Sequence, residues 1–397
     1  MPSFDETDAV ELSSRLEAIS NHHELWRSQE CLNLIASENI TSKRVRRLLS
    51  SDMGHRYTSR EGFYSGTRFI DEIESLGVDT ACKLFGSRYA DIRPTSGHLC
   101  NLAIMLLFLK NGSKMLCIDP VDGGYPGISK NRLSKLLGVT TRYFPFDGDR
   151  MNINAEKAHR AIAEDSPDLI MFGSSFILFP QPIRDLPLKS SLAVYDASHV
   201  LGLIAGGKFQ DPLREGCNTM IASTHKSFFG PQGGIIISND EPIMEVIRDE
   251  LSPSIVDNAH WNRILAMTLA LIEMLSFGEE YSDQVIKNSK YLAKTLDELH
   301  IPVKCREYGY TESHQVILDF GSKSAEVSKR LEKANIIVDS GIRLGTSEVT
   351  RRGMKEEEME EIAHHIHDVV TASSSKDKER VTKFVSKFQD EKYVIHS

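Results

Sequence analysis

Six short apolar runs, spaced between longer stretches of helical character, constrain the fold of this chain more than any other feature. They span residues 114–118, 141–146, 168–173, 192–195, 219–223 and 234–238. Continuous apolar runs of that length suit strands covered on both faces. Alternation with helices predicts an α/β fold, a mainly parallel sheet with helices on both sides. Ahead of these runs, Ile73, Gly77, Ala81 and Leu84 recur at helical spacing until Gly86 ends the pattern. Residues 10–27 read as a polar helix, an N-terminal arm. Past Ile264 a long helical stretch leads into a smaller α+β region, with strands expected at 316–320 and 336–338 and helices at 325–335 and from Lys355. The expected division is an arm at 1–28, a large domain at 29–263, a connecting helix at 264–299 and a small domain with a charged helical tail at 300–397.

Ligands of doubly wound sheets bind where the carboxyl ends of strands converge, so the polar residues directly after the runs are the candidate site. After 219–223 come Thr224-His225-Lys226-Ser227 and Gly230-Pro231-Gln232-Gly233. A primary amine there would form a Schiff base with an aldehyde cofactor once its pKa is lowered; a surface lysine in a turn fits the same residues. After 192–195 come Asp196-Ala197-Ser198-His199. A carboxylate there would pair with a pyridinium nitrogen, although aspartates also cap turns. Arg93-Pro94-Thr95-Ser96-Gly97-His98 leads into the apolar segment 99–109. Amides at that helix start and the Ser96 hydroxyl would hold a phosphate dianion, and an ordinary Ser cap is an equal reading. Amine, carboxylate and anion anchor together suit one molecule of pyridoxal 5'-phosphate.

Four longer motifs carry a resemblance. Leu34-Ile35-Ala36-Ser37-Glu38-Asn39, the stretch from Asp196 to Ala205, the lysine loop and Gly341-Ile342-Arg343-Leu344-Gly345-Thr346 occur in the order of the serine hydroxymethyltransferase signatures. The resemblance runs from about Cys31 to about Val370 and implies a fold-type I pyridoxal-phosphate enzyme with a seven-stranded type of sheet. By position, Lys226 resembles the lysine that carries the cofactor and Asp196 the partner of its ring nitrogen. His199 resembles the residue near the ring hydroxyl, and Ser175 the polar residue beside the cofactor. Ser96, Gly97, His98 and His225 complete the implied cofactor set. Ser37 and Arg343 resemble the pair that binds the substrate carboxylate, which a planar guanidinium meets with two parallel bonds. Tyr57 and Tyr64 resemble active-site tyrosines that reach across a dimer interface, so a homodimer with shared active sites is implied. The implied reaction interconverts serine and glycine by Cα–Cβ cleavage, with tetrahydrofolate or a modified tetrahydropterin as one-carbon acceptor.

Departures from the family pattern open other readings. Between Tyr57 and Tyr64 the stretch is short: Glu61 stands as the proton-transferring glutamate only after a gap, and is otherwise a surface charge. Tyr125, in Gly123-Gly124-Tyr125, replaces the histidine expected to stack on the pyridoxal ring; a tyrosine face can do the same. The glycine pair expected against a partner's phosphate is absent from 254–261, and Thr311-Glu312-Ser313-His314 rewrites a folate-embracing loop. A folate-independent aldolase acting on threonine or allo-threonine is the nearest alternative. A catalytically inert relative serving as a scaffold is another.

Composition narrows the remaining classes. A net charge of −9 argues against a general nucleic-acid-binding face. Six cysteines without C-x-x-C spacing suggest neither a zinc site nor a disulfide framework. His364, His365 and His367 read as a solvated helix face rather than a metal site. The acidic N-terminus is unlike a secretory signal and the longest apolar run is too short to span a bilayer, so the expected location is the cytoplasm.

Overall fold

The computed structural model describes residues 6–58, 62–372 and 374–396. Seven strands form its central sheet: β1 (Tyr89–Asp91), β2 (Lys114–Cys117), β3 (Thr140–Tyr143), β4 (Leu169–Phe172), β5 (Leu192–Asp196), β6 (Thr219–Ser223) and β7 (Gly234–Ser238). Their order is β1-β7-β6-β5-β4-β2-β3. All neighbours pair in parallel except β7, which runs antiparallel to both β1 and β6. Every residue of β4, β6 and β7 is buried, as continuous apolar strands between two helical layers require. Six of the seven strands coincide with the apolar runs. The exception, β1, is a three-residue edge strand reading Tyr-Ala-Asp, too short and polar to register as a run.

The helices include α1 (Glu6–Glu24), α2 (Arg68–Phe85), α3 (Gly97–Phe108) and α4 (Trp261–Glu298). Gly86 ends α2 in the left-handed conformation (φ 59°), where glycine is strain-free. The arm helix α1 leaves Val10, Leu12, Leu16 and Ile19 exposed. Among the described residues, no helix is long and apolar enough to cross a membrane.

The smaller region pairs Gln315–Ile317 antiparallel with Arg343–Gly345, setting Val316 opposite Leu344. Leu32–Asn33 pairs in parallel with Ile336–Ile337, and Leu32 and Leu34 join this region's own apolar core. The first strand of the stretch read as the large domain therefore lies in the smaller region. The tail forms a helix (Asp377–Val385) whose Val381, Phe384 and Val385 are buried, and Tyr393 packs edge-on against Tyr281 of α4. His365 corrects the expectation of a solvated histidine face: it is 6% exposed and packs on Phe384.

Candidate active site

The loop after β6 is held from several sides. Thr224 closes it, accepting from Gly230 N at 2.8 Å and donating through its hydroxyl to Pro231 O at 2.6 Å. Asn39 Nδ2 donates to Lys226 O at 2.8 Å, and the Tyr281 hydroxyl donates to Ser227 O at 3.0 Å. With its backbone pinned, Lys226 places Nζ 3.3 Å from His199 Nε2. Burial lowers the pKa of Lys226; Asp196 opposes the shift and Arg343 adds to it. An uncharged amine is the nucleophilic form.

Asp196 ends β5. Its Oδ2 accepts from Asn101 Nδ2 at 2.8 Å and its Oδ1 from Ser198 N at 3.0 Å. Asn101 lies one turn into α3, whose start is capped by Ser96 Oγ accepting from Leu99 N at 3.1 Å. The amides of Gly97 and His98 open that helix, so they have no intrahelical acceptor. Gly97 sits so close to β6 that a Cβ there would lie 2.3 Å from Ser223 Oγ and 2.7 Å from Ser223 N. Only glycine brings the helix start this near the strand end.

The smaller region packs behind the Ser175 segment and His199. Arg343, 8% exposed, donates through Nε to Asp339 Oδ2 at 3.1 Å, donates through Nη1 to Ser175 O, and lies over the Phe176 ring. The bridge pairing Ile35 with Leu344 sets the segment bearing Ser37 beside the Arg343 strand. His199 stacks on His314 with ring centroids 6.0 Å apart. Burial pushes His199 well below the usual histidine range, and the neighbouring Arg343 charge acts in the same direction.

Three comparisons bear on this arrangement. The serine hydroxymethyltransferase family profile matches residues 12–366. The serine hydroxymethyltransferase of Methanothermobacter marburgensis is 40% identical over 96% of this chain and 96% of its own. That of Methanocaldococcus jannaschii is 41% identical over 94% of this chain and 92% of its own. The chain belongs to the serine hydroxymethyltransferase family. The crystal structure of the L-threonine transaldolase from Pseudomonas fluorescens superposes with a TM-score of 0.90 at 27% identity, covering 98% of this chain and 95% of that one. Family membership makes this a pyridoxal-phosphate-dependent transferase of fold-type I.

The residues present fit that cofactor. A cavity of about 270 Å³ is lined by Ser96, Gly97, His98, Tyr125, Ser175, Asp196, His199, His225 and Lys226, all named from sequence, together with Asn101, Gly173, Ser174, Ser198 and Ser223. It joins helix-start amides, a carboxylate and an amine, the donor and acceptor set that a phosphate, a pyridinium and an aldehyde demand. Asn101 Oδ1 and His225 Nδ1 are buried without a partner, as polar atoms awaiting a ligand are. Burial holds His225 at about 4. Tyr125 meets His98 Nδ1 through its hydroxyl at 3.0 Å. A larger cleft of about 880 Å³ lies beneath residues 390–396, but charges on its rim such as Lys43 and Asp390 are 68% and 77% exposed and weakly felt.

Ser37, Arg343, Tyr57 and Tyr64 do not line this cavity. Tyr57 and Tyr64 stand 50% and 41% exposed with ring centroids 5.5 Å apart. Glu61 lies outside the described residues. Sequence reasoning missed Asn39, Asn101, Tyr281 and Gln315. A polar residue inside the apolar run 99–109 is the signal that could have exposed Asn101.

Proposed function

We propose that this chain interconverts serine and glycine by breaking and forming the Cα–Cβ bond, with Lys226 holding pyridoxal phosphate and a tetrahydrofolate-type pterin accepting the one-carbon unit. The observation that carries the reading is the single cavity into which nine sequence-named residues converge, with the Lys226 amine and the Asp196 carboxylate both in its wall. Asp196 would face the ring nitrogen, held in place by Asn101. The α3 start and Ser96 would hold the phosphate. When bound, pyridoxal phosphate supplies an electron sink for the carbon that loses its substituent. Arg343 would orient the substrate carboxylate beside Ser37: Asp339 and Ser175 O fix two corners of the guanidinium, leaving its outer edge for a bidentate contact. Lys226 Nζ and His199 Nε2 are close enough to hold one proton between them.

The reading extends to a homodimer. Leu12, Leu16 and Ile19 of α1, and separately Tyr57, Phe63 and Tyr64, are exposed apolar side chains that a second copy would cover, bringing the two tyrosines to its site. Light scattering tests the stoichiometry. Recovery of activity on mixing Lys226→Ala with Tyr64→Phe protomers tests the sharing of sites.

Borohydride trapping of pyridoxal phosphate followed by mass spectrometry tests the core assignment: the added mass belongs on Lys226, and its appearance elsewhere or nowhere refutes it. A second reading, pterin-independent cleavage of threonine or allo-threonine, is favoured by the likeness to the L-threonine transaldolase and by the loop at 311–314. Serine turnover that depends strictly on added tetrahydropterin decides against it.

A further inference from the structure

A buried glutamine outside the named site reaches into it from the smaller region. Gln315 is fully withdrawn from solvent. Its Oε1 accepts from Ile177 N at 2.9 Å, and its Nε2 donates to Ser175 O at 3.1 Å. These two contacts fix the amide: turned over, it would set Nε2 against an N–H and Oε1 against a carbonyl, two repulsive pairs in place of two bonds. So oriented, Nε2 also lies 3.2 Å from His199 Nδ1 and must donate to it. Nδ1 then carries the lone pair, and the single proton of the neutral ring is on Nε2. That Nε2–H faces Lys226 Nζ at 3.3 Å, and a donor there requires an acceptor: the lone pair of an uncharged amine.

We propose that Gln315 is a positioning residue that fixes His199 as its Nε2–H tautomer and through it keeps the Lys226 amine uncharged. The other groups bearing on Lys226 are Asp196, which favours its charge, and Arg343, which disfavours it; His225 and His314 stand neutral beside them. Burial bears most on Lys226 and favours the uncharged amine, and the direction of the His199 hydrogen bond acts with it. Burial moves both His199 and Lys226 toward their neutral forms, in agreement. The Ser175 carbonyl that anchors Gln315 also accepts from Arg343.

The test uses the full chain freed of cofactor and labelled with ¹⁵N-histidine, the His199 signals being assigned by their loss in His199→Asn. Two-bond ¹H–¹⁵N correlations should show native His199 protonated at Nε2 only; a proton on Nδ1, or on both nitrogens, overturns the proposal without any variant. Gln315→Glu replaces the donor by an acceptor. It should move the proton to Nδ1 and raise by about one pH unit the midpoint at which acetic anhydride labels Lys226. An unmoved midpoint in a folded Gln315→Glu protein also overturns it. The inference rests on Lys226 as the cofactor-holding amine, which borohydride trapping tests separately. Trapping at Lys226 with a wrong tautomer defeats the lock alone, whereas failed trapping defeats the functional reading and leaves the tautomer result standing.

Discussion

Mild acid should destabilise this protein through histidines buried uncharged, and His314 isolates the effect. Its ring is fully buried and stacked on His199, with Nε2 donating to Ala36 O at 3.0 Å and Nδ1 unpartnered. Burial holds it at about 3, against 6.5 for an ordinary histidine; the Ala36 carbonyl opposes the shift, and the Arg343 charge reinforces it. The unfolded chain binds a proton here below about pH 6.5, while the folded chain does not until the pH nears 3. Stability from this group is therefore fully present above the upper value and is lost progressively as pH falls through that window. Between pH 7 and pH 5 the loss is about 2 kcal/mol. Urea unfolding at both pH values, at fixed protein concentration, measures the fall. His314→Phe keeps a stacked ring but cannot titrate. It loses the bond to Ala36 O, about 1–3 kcal/mol, equally at both pH values, so that loss cancels in the comparison. The variant's fall in stability should be smaller than the native protein's by about 2 kcal/mol. Equal falls would refute the reasoning and place the acid sensitivity elsewhere, with His225 the next group to replace.

Three further outcomes follow from the same geometry. Arg351 and Glu273 pair at 2.8 Å with neither side chain exposed; Glu273→Leu should cost about 3–5 kcal/mol in urea unfolding, and adding Arg351→Met should recover most of it. Arg343→Lys keeps the charge but not the planar fork, so steady-state kinetics should show KM for serine rising about tenfold with a smaller effect on kcat. Asn101→Leu removes the donor to Asp196 Oδ2, and cofactor retention measured by dialysis and absorbance should weaken by about 1.5–3 kcal/mol, roughly ten- to a hundredfold.

Much of this architecture is legible in the sequence because local patterning and a topological rule act together. Strands such as β4, β6 and β7 are buried on both faces and so read as unbroken apolar runs, whereas β1 sits at the sheet edge with a polar end. Once the runs are placed, convergence of strand ends in an α/β sheet picks out Asp196 and Lys226 without knowledge of the fold's details, whereas Ser175 is read only through the family resemblance. Their supports are not legible in the same way. Asn39 reaches Lys226 O, Asn101 reaches Asp196 and Gln315 reaches His199 across large separations along the chain, and no local period marks such pairs. His365 fails for a related reason: it stands beside His364 and His367 and reads with them, but the returning tail helix sets Phe384 against its ring.

The smaller region takes part in the site's chemistry through one pairing. Gln315 and Arg343 stand on adjacent antiparallel strands, Gln315 opposite Gly345 and Arg343 opposite Ile317. Both side chains end on the same carbonyl of the larger region, that of Ser175. A carbonyl has two lone pairs and can serve both donors only while the two-stranded unit keeps its place against the sheet. A carboxylate drawn to Arg343 thus bears on the anchor that orients Gln315, and with it on the proton between His199 and Lys226. The arginine that would receive substrate and the amine that would hold cofactor are joined by a single backbone oxygen and two hydrogen-bonded side chains, Gln315 and His199.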